Sequence, residues 1–463
     1  MAGHTTKLVR SSASSAMATT VKLAPPEEDM VLRLCALDVP WVVVPPIQRV
    51  LLFDDAGGQL PPFPFLVGSL RASLTATLAR FPPLAGRVVF LPSTGDAAID
   101  CSASYSGGGG VRFVVAEMDD ADARKLAADA DHDVDAFRAF TPELQTDALP
   151  AEVLAVRVTR LKGGVAVGVA VHHAVADGRS LWRFLEAWAG ACRGDDAVLV
   201  AAPPTFDLPD VALPAGGEEL VRSTLRKYAP HLPLANPQFA RNPINMPRRT
   251  FTLAAQLIHR LKQRIVNLTT SVPSVQPTMA APSSFVAITA LTWVSFVRSK
   301  HPVTISDADD VYLLFFFDCR GRRGIDPQVS DNYFGTCITG FLVKATASEL
   351  LAEDGVAVAA AALQGEVRRA AENPVSGWNW LDLFSWLPQD RLVNVSGSTR
   401  FPAYEVADFG WGAPSRTELV SVNNGQVVLI AAKGGCGGVQ ASVCMHPDHM
   451  DAFNAHFLNC LVD

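Results

Sequence analysis

From Val165 to Val171 every residue is apolar or glycine, and the run ends directly on His172-His173-Ala174-Val175-Ala176-Asp177-Gly178. A strand with one solvated face alternates apolar and polar residues, so this stretch predicts a strand covered on both faces. Beyond the glycine, Leu181, Leu185, Trp188 and Cys192 recur at helical spacing, with Trp182 and Phe184 widening the stripe. A buried strand that feeds an amphipathic helix requires a layered α/β architecture. It also sets the two histidines at a strand end, where a side chain is held rigidly and still reaches a cleft.

The remaining chain follows the same mixed pattern. Val21 to Leu23, Met30 to Leu34, Val42 to Val44, Val88 to Leu91 and Val111 to Val115 read as strands, with a glycine loop at 107–110 between the last two. Leu66, Leu70, Leu74 and Leu78 repeat every four residues up to Phe81-Pro82-Pro83, which predicts a helix that the prolines stop. From Asp195 to Pro247 the composition turns to Pro, Gly and acidic residues, with a short helix expected at Glu218 to Lys227. This segment divides a first half, 21–194, from a second, 248–463. In the second half Leu257 to Leu268, Ser284 to Val297 and Glu349 to Ala371 read as helices. Val311 to Phe317 reads as a buried strand, Leu419 to Val422, Gln426 to Ala432 and Val439 to Met445 as further strands, and a helix follows from Pro447.

With 49% apolar residues, 18% charged residues and a net charge of -7, the chain has the material for large cores and no basic run suited to nucleic acid. The longest apolar runs fall far short of the ~20 residues of a membrane span, so a soluble, cytoplasmic protein is expected. The eight cysteines are scattered without a CxxC pair and read as reduced, mostly buried thiols, with no metal site expected. Residues 1–20 are rich in Ser, Thr and Ala, and no acid occurs before Glu27. That composition suits an organellar transit peptide, and the simpler reading is a flexible tail.

A histidine with an unperturbed pKa of ~6.5 is largely neutral near pH 7, so His173 at the strand end suits general-base work. Asp177, four residues on, has two readings: it orients the imidazole, or it pairs with a distant arginine and fixes the turn. Spacing alone leaves both open, and the structural role is preferred. Asp408-Phe409-Gly410-Trp411-Gly412 places two glycines, two aromatics and an acid in five residues, the makings of a tight loop plugged into an apolar surface.

HHAVADG and DFGWG, in that order and about 230 residues apart, together resemble the plant BAHD acyltransferases, which move acyl groups from coenzyme A thioesters to hydroxyls or amines. Ser73-Leu74, the stretch Phe81-Pro82-Pro83-Leu84-Ala85-Gly86-Arg87, and Ser284-Phe285 with Trp293 support the resemblance. HHxxxDG also occurs in peptide-synthetase condensation domains, and the DFGWG element separates the two. Asn332-Tyr333-Phe334-Gly335-Thr336-Cys337 and Ser396-Gly397-Ser398-Thr399-Arg400-Phe401 are similar to elements of the subgroup that acts on flavonoid and anthocyanin glycosides. Thr336 stands where Asn is usual, and Ala413 where many members have Arg.

The resemblance implies two chloramphenicol-acetyltransferase-like domains of mixed β-sheet flanked by helices, joined by the long 195–247 crossover. A channel between them would hold His173. It implies that Asp177 pairs with Arg320, that DFGWG lies away from the histidine and supports the architecture, and that Ser396 and Ser398 face the reacting carbonyl. The expected activity is malonyl transfer from malonyl-CoA to a sugar hydroxyl of a flavonoid or phenolic glucoside by a monomeric enzyme, with the thioester as cosubstrate and no bound cofactor. The alternatives are a hydroxycinnamoyl-CoA-dependent enzyme acting on phenolic or amine acceptors, and a non-catalytic phenolic-glycoside binding protein of the same fold. A malonyl carboxylate calls for a guanidinium, and Arg179 is the candidate. Lys262 and Ser284 are candidates on the coenzyme side. A covalent route through Cys337 or Ser180 is disfavoured because neither has a base beside it in the sequence.

Overall fold

The computed structural model describes residues 16–21, 30–102, 110–129, 131–195, 197, 202–206, 217–228, 246–271 and 281–462. One six-stranded sheet runs Ala16–Val21, Val111–Asp122, Leu154–Lys162, Gly164–Val171, Ile47–Asp54, Arg416–Leu419 in spatial order. A second six-stranded sheet runs Arg248–Leu253, Val439–Cys444, Gln426–Ala431, Leu392–Gly397, Asp310–Asp318, Ile338–Thr346. A four-stranded sheet of Val31–Arg33, Asp96–Asp100, Arg87–Leu91 and Ala151–Glu152 accompanies the first.

The strand Gly164–Val171 is buried at every position, as its sequence requires. It lies antiparallel between Leu154–Lys162 and Ile47–Asp54, with Val171 opposite Leu154 and Ile47. Gly168 is needed there because a Cβ would collide with the Phe140 carbonyl that closes over the sheet. The helix Gly178–Arg193 starts at Asp177, whose side chain accepts the Ser180 N–H, and stops at Gly194 in the left-handed region at φ 75°. Its Leu181, Phe184, Leu185 and Trp188 face join Leu66, Leu70, Leu74 and Leu78 of helix Phe63–Leu78 in one core.

Four expectations need correction. Ala16–Val21 is a strand paired along its length with Val111–Ala116, which corrects the expectation of a tail for residues 16–20; residues 1–15, and residues 22 and 23 of the expected first strand, lie outside the described residues. Val42 to Val44 is not a strand. Val39–Val43 forms a 3₁₀ turn, since Pro40 has no N–H for a ladder and the Asp38 carboxylate draws back the Cys35 N–H at 3.0 Å. The long helix expected over 349–371 is two, Ala347–Leu351 and Gly355–Glu372. The first is closed by a Thr346–Glu349 capping box, and Gly355 sits where a Cβ would strike the Leu350 carbonyl. Finally, the strand expected at Leu419 to Val422 lies earlier, at Arg416–Leu419, and it belongs to the second half by sequence and to the first sheet by pairing, opposite Leu52 to Arg49. Strand exchange of this kind ties the halves together, and Tyr404, Phe409, Trp411 and Leu419 all enter the first half's core. The helix expected in the crossover is present as Gly217–Tyr228, while much of 195–247 lies outside the described residues.

Candidate active site

A cavity of about 1160 Å³ opens between the two large sheets, lined by residues of both halves, among them Trp41, Arg49, His173, Phe316, Trp380 and Ser396. The strand end carries its two histidines in different directions. His172 is buried, its Nδ1 accepts the Ala174 N–H at 3.2 Å, and it shapes the turn. His173 lines the cavity. Its ring stacks on Trp41 with centroids 4.1 Å apart and an interplanar angle of 17°, and its main-chain carbonyl accepts the Thr336 hydroxyl at 2.5 Å. Nδ1 is buried without a partner. Burial pushes the imidazole down to about 4, with Asp177 opposing and the Arg49 guanidinium adding to the fall. The ring is therefore neutral at physiological pH and available to accept a proton.

Asp177 does not orient that ring. Its Oδ2 accepts Arg320 Nη1 at 2.8 Å and the Cys337 N–H at 3.1 Å, and its Oδ1 accepts the Ser180 N–H at 2.9 Å. Arg320 also donates to the Tyr333 and Gly335 carbonyls and to Asp318. The Arg320 guanidinium holds the Asp177 carboxyl below the usual carboxylate range despite its burial. Of the two readings that the spacing left open, the geometry shows the structural pairing.

The other candidates separate clearly. Ser284, Ser396 and Ser398 all line the cavity. Ser396 Oγ accepts from Gln426 Nε2 at 3.3 Å, and Ser398 Oγ accepts the Arg400 N–H at 3.2 Å, so both hydroxyl protons remain available. Lys262 sits half-buried on helix Ala255–Ser271 and does not line the cavity. Arg179 lines the cavity, but it is already paired: Nη1 lies 2.8 Å from Asp318 Oδ2, and Nη2 donates to the Asp331 carbonyl at 3.1 Å. The expected free guanidinium at this position is thus neutralised by an acid the sequence reading did not connect to it.

Neither covalent alternative is poised. Ser180 Oγ donates to the Gly335 carbonyl at 2.8 Å and accepts from Arg320 at 3.0 Å, locked inside the Asp177 network. The Cys337 thiol is pushed strongly up by its hydrogen bond with the free Cys319 thiol and by burial. None of Asp408 to Gly412 lines the cavity. Asp408 Oδ1 accepts the Gly410 and Gly412 N–H groups at 2.8 and 3.0 Å, Arg193 holds its carbonyl, and Phe409 and Trp411 stack at 5.6 Å against Phe53 and Trp188.

Sequence reasoning missed Trp41, Asp38 and the arginines Arg49 and Arg248. Asp38 is buried, its Oδ1 accepts the Thr336 N–H at 3.2 Å, and burial pushes it up to about 7. A signal existed, since Asp38 is the sole acid between Met30 and Phe53, and Arg49 interrupts an apolar strand.

The Transferase family model matches residues 15–459. Phenolic glucoside malonyltransferase 2 of Arabidopsis thaliana is 27% identical over 447 residues, covering 93% of this chain and 94% of that protein. The malonyl-coenzyme:anthocyanin 5-O-glucoside-6'''-O-malonyltransferase of Salvia splendens is 28% identical over 456 residues, covering 94% and 92%. Among solved structures, vinorine synthase superposes with a TM-score of 0.71 over 97% of this chain and 98% of that one, at 19% identity. The last is a likeness of fold.

Proposed function

The chain belongs to the Transferase (BAHD acyltransferase) family, and from that premise we propose that it transfers the malonyl group of malonyl-CoA to a sugar hydroxyl of a flavonoid or phenolic glucoside, with His173 as general base. The observation that carries the reading is His173 itself: a neutral imidazole on the wall of a cavity that both halves line, with no carboxylate bonded to it. The names of the two malonyltransferase relatives, which specify malonyl transfer to phenolic and anthocyanin glucosides, support the donor and the acceptor class.

A sugar hydroxyl is too weak an acid to ionise near pH 7, so its proton must leave as the oxygen attacks the thioester carbon. Nδ1 of His173 is the enclosed nitrogen, which leaves Nε2 to take that proton. The negative charge moves to the former carbonyl oxygen, where the Ser396 and Ser398 hydroxyls are the candidate donors. Collapse of the tetrahedral intermediate expels the coenzyme A thiolate, which takes the proton back from the imidazolium, and the ester and free thiol leave together. Ser284 remains the coenzyme-side candidate on the wall, while Arg322 and Arg400, both on the lining, replace Lys262 as the cations for the coenzyme phosphates.

The test is a competition: a flavonoid glucoside incubated with equal malonyl-, acetyl- and coumaroyl-CoA, with products identified by mass spectrometry. A malonyl ester is expected to dominate and to vanish with His173→Ala. A dominant coumaroyl ester overturns the donor, and absence of any ester with all three donors across a broad panel of glucosides favours a binding protein of the same fold.

A further inference from the structure

Arg179 is already paired at 2.8 Å, yet the same cavity carries other guanidinium groups that have no carboxylate within hydrogen-bond distance among the described residues. Arg49 Nη1 donates to the adjacent Gln48 carbonyl at 2.8 Å, and among the described residues its buried Nε has no partner and Nη2 no acceptor. Arg248 donates to the Leu419 and Val422 carbonyls at 3.4 and 3.1 Å, and its Nε is likewise buried and unpartnered. Both side chains line the cavity, together with Gln48, Ser421 and Asn423.

The local charge does not balance. Glu418, beside them on strand Arg416–Leu419, is held by His132 at 2.7 Å and by Arg416 at 3.2 Å, and it lies 3.9 Å from Arg248. One carboxylate therefore faces Arg49, Arg248 and Arg416. Burial of a guanidinium is costly unless it is paired, and a planar fork with open donors suits a carboxylate in a two-point contact. Burial brings Arg49 down to about 10, against the pull of Glu418, which fits a charge short of partners.

We propose that Arg49 and Arg248 form a carboxylate-binding subsite at the end of the cavity where strands Ile47–Asp54, Arg416–Leu419 and Arg248–Leu253 converge. The subsite reads a carboxylate brought in by a substrate, either the free end of a dicarboxylic acyl thioester or an acidic sugar on the acceptor. It rests on the acyl-transfer reading above and assigns the work expected of Arg179 to different residues.

Initial rates are measured for the wild type, Arg49→Gln, Arg49→Lys and Arg179→Ala, with malonyl- or acetyl-CoA on a neutral glucoside and with acetyl-CoA on the matching glucuronide. Equilibrium binding of malonyl- and acetyl-CoA is measured in parallel, and melting temperature is followed as a check on folding. For a donor carboxylate, Arg49→Gln lowers kcat/KM for malonyl-CoA by about 10- to 100-fold, mainly through KM, as the loss of a charge-assisted contact implies. Acetyl-CoA then suffers a loss at least tenfold smaller, and Arg49→Lys restores part of the difference. A loss confined to the glucuronide assigns the same subsite to the acceptor. Equal losses on every substrate pair, or a selective malonyl loss in Arg179→Ala alone, overturn the proposal. A wild type without turnover fails the acyl-transfer reading; a binding preference for malonyl-CoA that Arg49→Gln abolishes would still support the subsite.

Discussion

Oδ2 of Asp177 lies 2.8 Å from Nη1 of Arg320, and both side chains are sealed from solvent. One belongs to the turn after the histidine strand and the other follows strand Asp310–Asp318, so the ion pair fastens the two halves directly behind the cavity. The carboxylate is held by this guanidinium and two main-chain N–H groups, and none of these contacts is to the His173 ring.

Asp177→Ala should lower the unfolding free energy by about 3–5 kcal/mol, because a buried Arg320 is left without its partner. Activity should fall together with stability. The sign of the pH dependence follows from the folded carboxyl lying below its unfolded value: the pair stabilises the protein above about pH 4 and loses that effect as acid takes the pH down through the folded pKa. Urea midpoints of wild type and variant at pH 7 and pH 3 test this. A variant with undiminished stability and a shifted pH optimum would instead return Asp177 to the role of ring orienter.

His173→Ala should reduce turnover by a factor of about 10² to 10⁴ while leaving the melting transition near that of the wild type. Because burial brings the imidazole down to about 4, kcat/KM of the wild type should stay level from neutral pH into mild acid and drop only near that value. An acid limb centred at or above the unperturbed ~6.5 would show that the free enzyme does not hold the ring as described.

The histidine strand and its helix were legible because both rest on local pattern: an unbroken apolar run, a glycine, a stripe at helical spacing. The motif pair HHAVADG and DFGWG carried the family, and the Asp177–Arg320 pairing came with it. What local sequence could not carry were relations between distant segments. Asp318 neutralising Arg179, Trp41 stacking under His173, and Glu418 crossing into the other half's sheet depend on which strands become neighbours. Val42 to Val44 misled for a related reason, since a β-branched run has strand propensity, and Pro40 with the Asp38 carboxylate overrode it.

Phe409→Ala should cost about 3–5 kcal/mol of stability, since its ring is enclosed by Phe53, Trp188 and Trp411 and deletion leaves a hole in the first half's core. None of these four rings lines the cavity, so the folded fraction of the variant should keep its KM for both substrates. Steady-state kinetics on material shown to be folded by circular dichroism decides the matter. A raised KM for the acyl thioester with unchanged stability would move this loop from the architecture into the binding site.

Asp38 provides the opposite pH sign to Asp177. Its carboxylate accepts the Cys35 N–H at 3.0 Å and the Thr336 N–H at 3.2 Å, yet burial outweighs both contacts and pushes it up to about 7. In the unfolded chain the same group ionises near ~3.9. Between these values the folded state holds the extra proton, so this residue's contribution to stability falls as pH rises, by about 1.4 kcal/mol per unit and about 4 kcal/mol in all. Asp38→Asn removes that slope while retaining one acceptor for the Thr336 N–H, whose side chain fixes the His173 carbonyl. The variant should therefore be less stable than the wild type near pH 4 and gain on it steadily up to pH 7, as read from urea midpoints at half-unit intervals. Parallel stability profiles for the two proteins across that range would mean that Asp38 is already ionised in the folded state, paired more closely with Arg320 than its contacts indicate.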